Sequence, residues 1–104
     1  MERIAFKMQL IKGHEREYKK RHDEIWPELS ELLKATGISN YSIYLDESTG
    51  ALFATMNVTD GRKLNELPKH PIMQKWWNAM SDIMETNLDD SPVSVPLKEV
   101  FHLH

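Results

Sequence analysis

A histidine at position 22 stands one helical turn after a tyrosine at position 18, a pairing able to move protons and orient hydroxyl groups. Read as a helix, Tyr18, His22, Ile25 and Leu29 share one face at the three-and-four spacing of an inward stripe. That places an imidazole and a phenol about 5–6 Å apart at Cβ, facing inward. Inward polar rings need internal partners or a ligand. The ordinary histidine pKa, about 6.5, suits acid–base catalysis near neutral pH. A core histidine satisfied by a backbone carbonyl is the structural alternative.

Trp76 and Trp77 form the second constellation. Adjacent helical positions diverge by about 100°, so one ring can enter the core while the other lines a groove beside it. Tryptophan faces suit the apolar C–H patches of sugar rings; ordinary core and dimer packing explains the pair equally well. Tyr41 and Tyr44 lie on opposite faces of a strand pattern, and Tyr41 shares its face with Ile43 and Leu45. A buried Tyr41 hydroxyl would need a partner. His102 and His104 form a terminal H-x-H pair with no third ligand placed beside it, so no metal site is expected. His14 and His70 sit near turns, and Asp89–Asp90 falls in a polar loop as a solvated pair. Neither a glycine-rich phosphate motif nor a Ser-His-Asp order nor a metalloprotease motif is present.

The elements that must hold these groups are legible in the alternation of the chain. Ile4, Phe6, Met8 and Leu10 alternate with Ala5, Lys7 and Gln9 as a half-buried strand. A helix follows from about His14, and Pro27 interrupts it around Asp23–Trp26, opening a second helical segment to about Ala35. Gly37 is the stop. Tyr41, Ile43 and Leu45, then Leu52, Ala54, Met56 and Val58, give two strands joined by the turn-forming Asp46–Gly50 as an antiparallel hairpin. Thr59–Pro71 holds a short helix or loop. A helix is expected over Ile72–Met84, a long loop over Asn87–Pro96, and a last strand over Leu97–Leu103.

Strand, helix, hairpin, helix, strand is the α+β, ferredoxin-like split βαβ order: a four-stranded antiparallel sheet with the helices on one face. The other face also carries apolar residues (Ala5 against Phe6, Phe53 against Met56, Val100 against Phe101). A sheet apolar on both sides must cover the second, which predicts a face-to-face homodimer.

Composition narrows the function. A chain of 104 residues is one domain spanning 1–104. A net charge of −3 leaves no electrostatic footprint for nucleic acid or an anionic membrane. Lys19-Lys20-Arg21 precedes Asp23 and Glu24 and reads as a solvated helix face. With no cysteine there is neither disulfide nor thiol nucleophile, which suits a reducing cytoplasm. No apolar run approaches the roughly 20 residues of a membrane span, and no secretory h-region is seen.

Taken together, Ala5-Phe6, Met8-Gln9, Tyr18, Arg21-His22, Ile25-Trp26-Pro27-Glu28-Leu29, Asn40-Tyr41, Ile43-Tyr44-Leu45-Asp46, Trp76-Trp77, Ser91-Pro92-Val93-Ser94 and Glu99-Val100-Phe101 resemble the L-rhamnose mutarotase family, almost end to end. The resemblance implies a dimeric α/β barrel that interconverts the α and β anomers of L-rhamnose, or of a related monosaccharide, without a cofactor; the cytoplasmic location is expected from composition. It places the catalytic histidine on His22, the sugar-contacting tyrosines on Tyr18 and Tyr41, and the tryptophan pair on Trp76 and Trp77. His22 is then expected as the principal general acid at the ring oxygen, the complementary base being left open. Two positions depart from the family pattern: Asp90 stands where asparagine is expected, and His102 where tyrosine is expected. Two other functions fit so small a barrel. One is a cofactor-free monooxygenase or haem-degrading protein using the inward histidine; the other is a dimer that binds sugar without turnover.

Overall fold

The computed structural model describes residues 1–104. In chain order it contains β1 (Glu2–Gln9), α1 (Glu15–Asp23), α2 (Pro27–Ala35), β2 (Ile38–Asp46), β3 (Ala51–Val58), a 3-10 segment (Gly61–Lys69), α3 (Pro71–Met80) and β4 (Val95–Leu97). The four strands form one sheet in the order β2-β3-β1-β4, with every neighbouring pair antiparallel. The expected split βαβ order is therefore present.

Period-two alternation decides the faces. Met8 pairs with Leu52, Phe6 with Ala54 and Ile4 with Met56, so the apolar set of β1 meets that of β3 on the side toward the helices. Leu29, Met73, Trp76 and Met80 close over Met8, Leu52 and Ala54 as the main core. Ile38, Met56 and Val58 form a second cluster beneath Leu33, Leu64 and Leu67. The opposite face keeps Phe53, Tyr44, Val95 and Leu97 exposed.

β2 reaches both clusters through an irregularity. Ser39 pairs with Asn57 and Ser42 with Thr55, so Asn40 and Tyr41 together oppose Met56. This β-bulge takes one extra residue, and Asn40 adopts φ +49° to accommodate it. Ile38 and Ile43 are five apart and would otherwise point to opposite faces; with the bulge both point inward.

The helix break falls where proline demands it. Trp26 is extended (φ −60°, ψ 132°) and Pro27 begins α2 at its first turn, where a missing N–H costs nothing. Gly37 ends the unit at φ +93°. A Cβ there would also collide with the Thr59 side chain. Gly37→Ala should cost about 1–3 kcal/mol of folding free energy, read as a lower denaturant midpoint with an unchanged slope.

Two expected elements are shorter than their patterns suggested. The helix expected over Ile72–Met84 stops at Met80, where Ser81 N–H and Oγ both bond the Asn78 carbonyl, at 3.3 and 2.7 Å. Leaving the helix lets Ile83 and Met84 join the sheet edge: Ile11 N–H bonds Ile83 O at 2.9 Å, and Glu85 N–H bonds Gln9 O at 3.0 Å. The strand expected over Leu97–Leu103 is instead Val95–Leu97, with Pro96 on the sheet edge, where its missing donor is tolerated. Alternation marks a strand only where one face is covered. Beyond Leu97 nothing in the protomer covers Val100, Phe101 or Leu103, and all three are exposed.

Candidate active site

His22 lies in the last turn of α1 with its ring turned toward α3. Its Nδ1 is 3.0 Å from the Tyr18 carbonyl. A carbonyl only accepts, so this bond puts the proton on Nδ1 and leaves Nε2 with a free lone pair in the neutral ring. The Tyr18 ring packs on the imidazole at 4.3 Å between centroids, and Trp76 presents an edge at 5.3 Å and 90°. Trp26 in turn braces Trp76 at 5.2 Å and 88°. The imidazole is held on both sides.

Burial pushes the His22 pKa below 6.5, and the Tyr18 carbonyl and Asp23 only partly oppose it. The ring is thus mainly neutral at pH 7. This has a stability consequence whose sign is fixed. As pH falls below 6.5 the unfolded chain takes up a proton that the folded chain still refuses, so stability falls over that interval down to the folded pKa. The denaturant midpoint should be lower at pH 5.5 than at pH 7.5, and His22→Gln should remove that part of the difference. The depressed carboxylates Asp46, Asp60, Asp82 and Asp89 act at lower pH, since their pKa values start from 3.8.

All five residues singled out from the sequence line one pocket. His22, Tyr18, Tyr41, Trp76 and Trp77 line a pocket partly open to solvent, together with the apolar Met8, Met73 and Met84. Trp76 is buried and Trp77 half-buried, the division of roles expected from their 100° divergence. Tyr41 enters through the bulge. The pKa of Tyr18 is pushed up by burial and by the nearby Tyr41, and that of Tyr41 is pushed up by burial to about 12. Both phenols remain protonated at neutral pH, so each pocket-lining tyrosine keeps a hydroxyl able to donate.

Several features were not anticipated. Arg21 is not part of a solvated face. Its guanidinium bonds Asp82 at 2.8 and 3.2 Å and the Ala79 carbonyl at 2.8 Å, tying α1 to the C-terminal end of α3 and capping an orphan carbonyl there. Lys19 pairs with Asp23 at 2.9 Å. Trp26 lies outside the inward stripe of the sequence pattern, yet Pro27 after it fixes its extended backbone and its ring braces Trp76. Asp90, expected in solvent, lines the pocket together with Thr86. Only the resemblance, which leads one to expect asparagine there, gave a signal. At the other end of the chain, His102 meets Arg3 and packs on His104 at 4.7 Å.

A split βαβ sheet with an imidazole, two phenols and two indoles around one pocket defines a small α+β domain whose lining combines a proton-exchanging ring, hydroxyl groups and flat apolar surfaces. The comparison with known proteins makes this specific. Residues 3–103 match the family model described as L-rhamnose mutarotase, and the chain belongs to that family. It is 58% identical over 103 residues to the L-rhamnose mutarotase of Sinorhizobium fredii, covering 99% of each chain. It is 57% identical over 102 residues to that of Brucella anthropi, covering 98% of this chain and 96% of that one. The crystal structure of L-rhamnose mutarotase from Formosa agariphila superposes with a TM-score of 0.93 at 51% identity over the whole of both chains.

Proposed function

We propose that this protein interconverts the α and β anomers of L-rhamnose by acid–base catalysed ring opening and reclosure, in support of L-rhamnose metabolism. The observation that carries the reading is the meeting of His22, Tyr18, Tyr41, Trp76 and Trp77 in one pocket of a chain that matches the family from residue 3 to residue 103.

Mutarotation moves protons and breaks no carbon–carbon bond. Neutral His22 accepts the proton of the anomeric hydroxyl at Nε2 as the bond between C1 and the ring oxygen breaks. The resulting imidazolium gives that proton to the ring oxygen, and the open-chain aldehyde is formed. Rotation about C1–C2 and the reverse transfers close the other anomer. His22 thus acts as base and then as the general acid expected from the resemblance. Because a lowered pKa favours the neutral ring, the base step comes first. Tyr18 or Tyr41 donates a hydrogen bond to the ring oxygen while charge develops there. The indoles of Trp76 and Trp77 pack on apolar sugar faces, including the C6 methyl. Atoms balance without a redox change, so the reaction as written calls for neither cofactor nor metal.

The working unit in this reading is a homodimer closed sheet to sheet into an α/β barrel. Its support is the outer sheet face, where Tyr44 is 63% exposed and Phe53 37%. A cysteine-free chain suits the cytoplasm, and no helix is long and apolar enough to cross a membrane. NMR saturation transfer between the two anomeric protons of L-rhamnose tests the activity: enzyme-dependent exchange is expected, and exchange no faster than in buffer would refute it. Sedimentation at micromolar concentration should give twice the protomer mass; a monomer would remove the barrel.

A further inference from the structure

We infer that Asp90 is a substrate-binding and specificity residue that accepts a hydrogen bond from a ring hydroxyl of the sugar. The inference rests on the mutarotase reading and adds to it a contact at Asp90, a pocket residue to which that reading gives no role.

Asp90 is the one formally anionic side chain among those lining the pocket. It is placed there by a hydrogen-bonded turn. Asn87 N–H bonds Ser91 O at 2.8 Å, Asp90 N–H bonds Asn87 O at 3.0 Å, and Thr86 and Pro92 close the base as a β-bridge. The adjacent aspartates separate their tasks within this turn. Asp89 accepts from Ser91 N–H at 3.0 Å and from its hydroxyl, which holds the turn together. Asp90 adopts φ +68°, a left-handed conformation that Asp and Asn tolerate better than most residues, and its side chain meets α3 and the pocket instead of the turn.

One carboxylate oxygen is already engaged. Asn78 Nδ2 on α3, next to Trp77, donates to Asp90 Oδ2 at 2.9 Å and anchors the turn to the helix carrying the indoles. Oδ1 has no partner within the chain. A carboxylate is an acceptor only, whereas the two phenols of the pocket can also donate. The sugar is thereby offered, beside the phenols, one group that only its hydroxyl protons can satisfy. Hydroxyl groups satisfy both, and charge-assisted hydrogen bonds of this kind are the stronger ones. An asparagine held in the same way, its oxygen accepting from Asn78, would turn its NH₂ toward the sugar. The acceptor would become a donor with little change of shape.

The test compares wild type with Asp90→Asn, which keeps both the shape and the tolerance for positive φ. Saturation-transfer kinetics on L-rhamnose should show KM raised about tenfold or more in the variant, with kcat within about twofold and an unchanged melting temperature. Rhamnoses bearing fluorine in place of the 2-, 3- or 4-hydroxyl cannot donate at that carbon. One of them should bind wild type about tenfold more weakly than L-rhamnose, yet lose little against Asp90→Asn. Equal KM in the two proteins, or equal losses for every derivative in both, would overturn the assignment. Should wild type fail to exchange anomers at all, the mutarotase reading falls by itself. A tryptophan-fluorescence titration with L-rhamnose then still judges Asp90: tighter binding by wild type than by Asp90→Asn supports it, and equal or absent binding overturns it.

Discussion

His22→Ala lowers the enzyme-dependent exchange of L-rhamnose anomers by about 10²–10⁴-fold, the range that a positioned acid–base group contributes. His22→Gln gives a comparable loss while keeping more of the packing between Tyr18 and Trp76, because an amide does not take up and return a proton in this pH range. The comparison separates chemistry from shape: recovery of most of the rate in the Gln variant would mean that His22 only fills space. The pH profile adds a second check. Burial lowers the His22 pKa from 6.5, and the ring must be neutral to accept the first proton. kcat/KM should therefore rise with pH through that lowered pKa and be level by pH 7. A protonated ring acting first as acid would give the opposite slope over the same interval.

Trp76→Ala is expected to destabilise the fold by about 3–5 kcal/mol, as large aromatic truncations in a core do. The indole is 8% exposed and packs between Trp26 on one side and His22 on the other. For a domain of this size that loss lowers the melting temperature by roughly 12 °C or more, which thermal unfolding followed by circular dichroism reads directly. A domain stable by only about 5–15 kcal/mol loses a large share of its margin. Trp76→Phe should be milder and should still catalyse, with kcat reduced because the His22 ring has lost part of its lateral support. A melting temperature within about 2 °C of wild type for Trp76→Ala would show that the indole is not part of the core.

Much of this architecture follows from short-range rules. The alternation in Ile4–Leu10 and Leu52–Val58 is simple because one sheet face is buried along both strands. Pro27 and Gly37 mark boundaries by sterics alone, independent of distant contacts. The Tyr18–His22 pair was visible because helical spacing brings residues four apart together, and the Trp76–Trp77 pair because two indoles in sequence cannot share a stripe. What the sequence hid depends on partners far along the chain. Met84 continues the apolar rhythm of α3, yet competition from the β1 edge ends the helix at Met80. Arg21 looked like its solvated neighbours Lys19 and Lys20 until the fold brought Asp82 beside it. Asp90 carried no periodic signal at all, since turns place side chains by dihedral angle rather than by repeat. Residue type and spacing single out each of the five pocket residues, but helical spacing places only His22 and Tyr18 together; the grouping of all five follows from the resemblance alone.

The extra residue in β2 works like a change of parity in a code read two letters at a time. Residues before Asn40 and residues after Tyr41 follow the same inside–outside rule, but count from different origins. Deleting Asn40 would merge the two frames, and a single frame can serve only one of two clients. Either Ile38 keeps its place beneath Val58 and Leu33, or Ile43 and Tyr41 keep theirs at the pocket. One inserted amino acid is thus what allows a strand to furnish a solid interior at one end and the wall of an open pocket at the other.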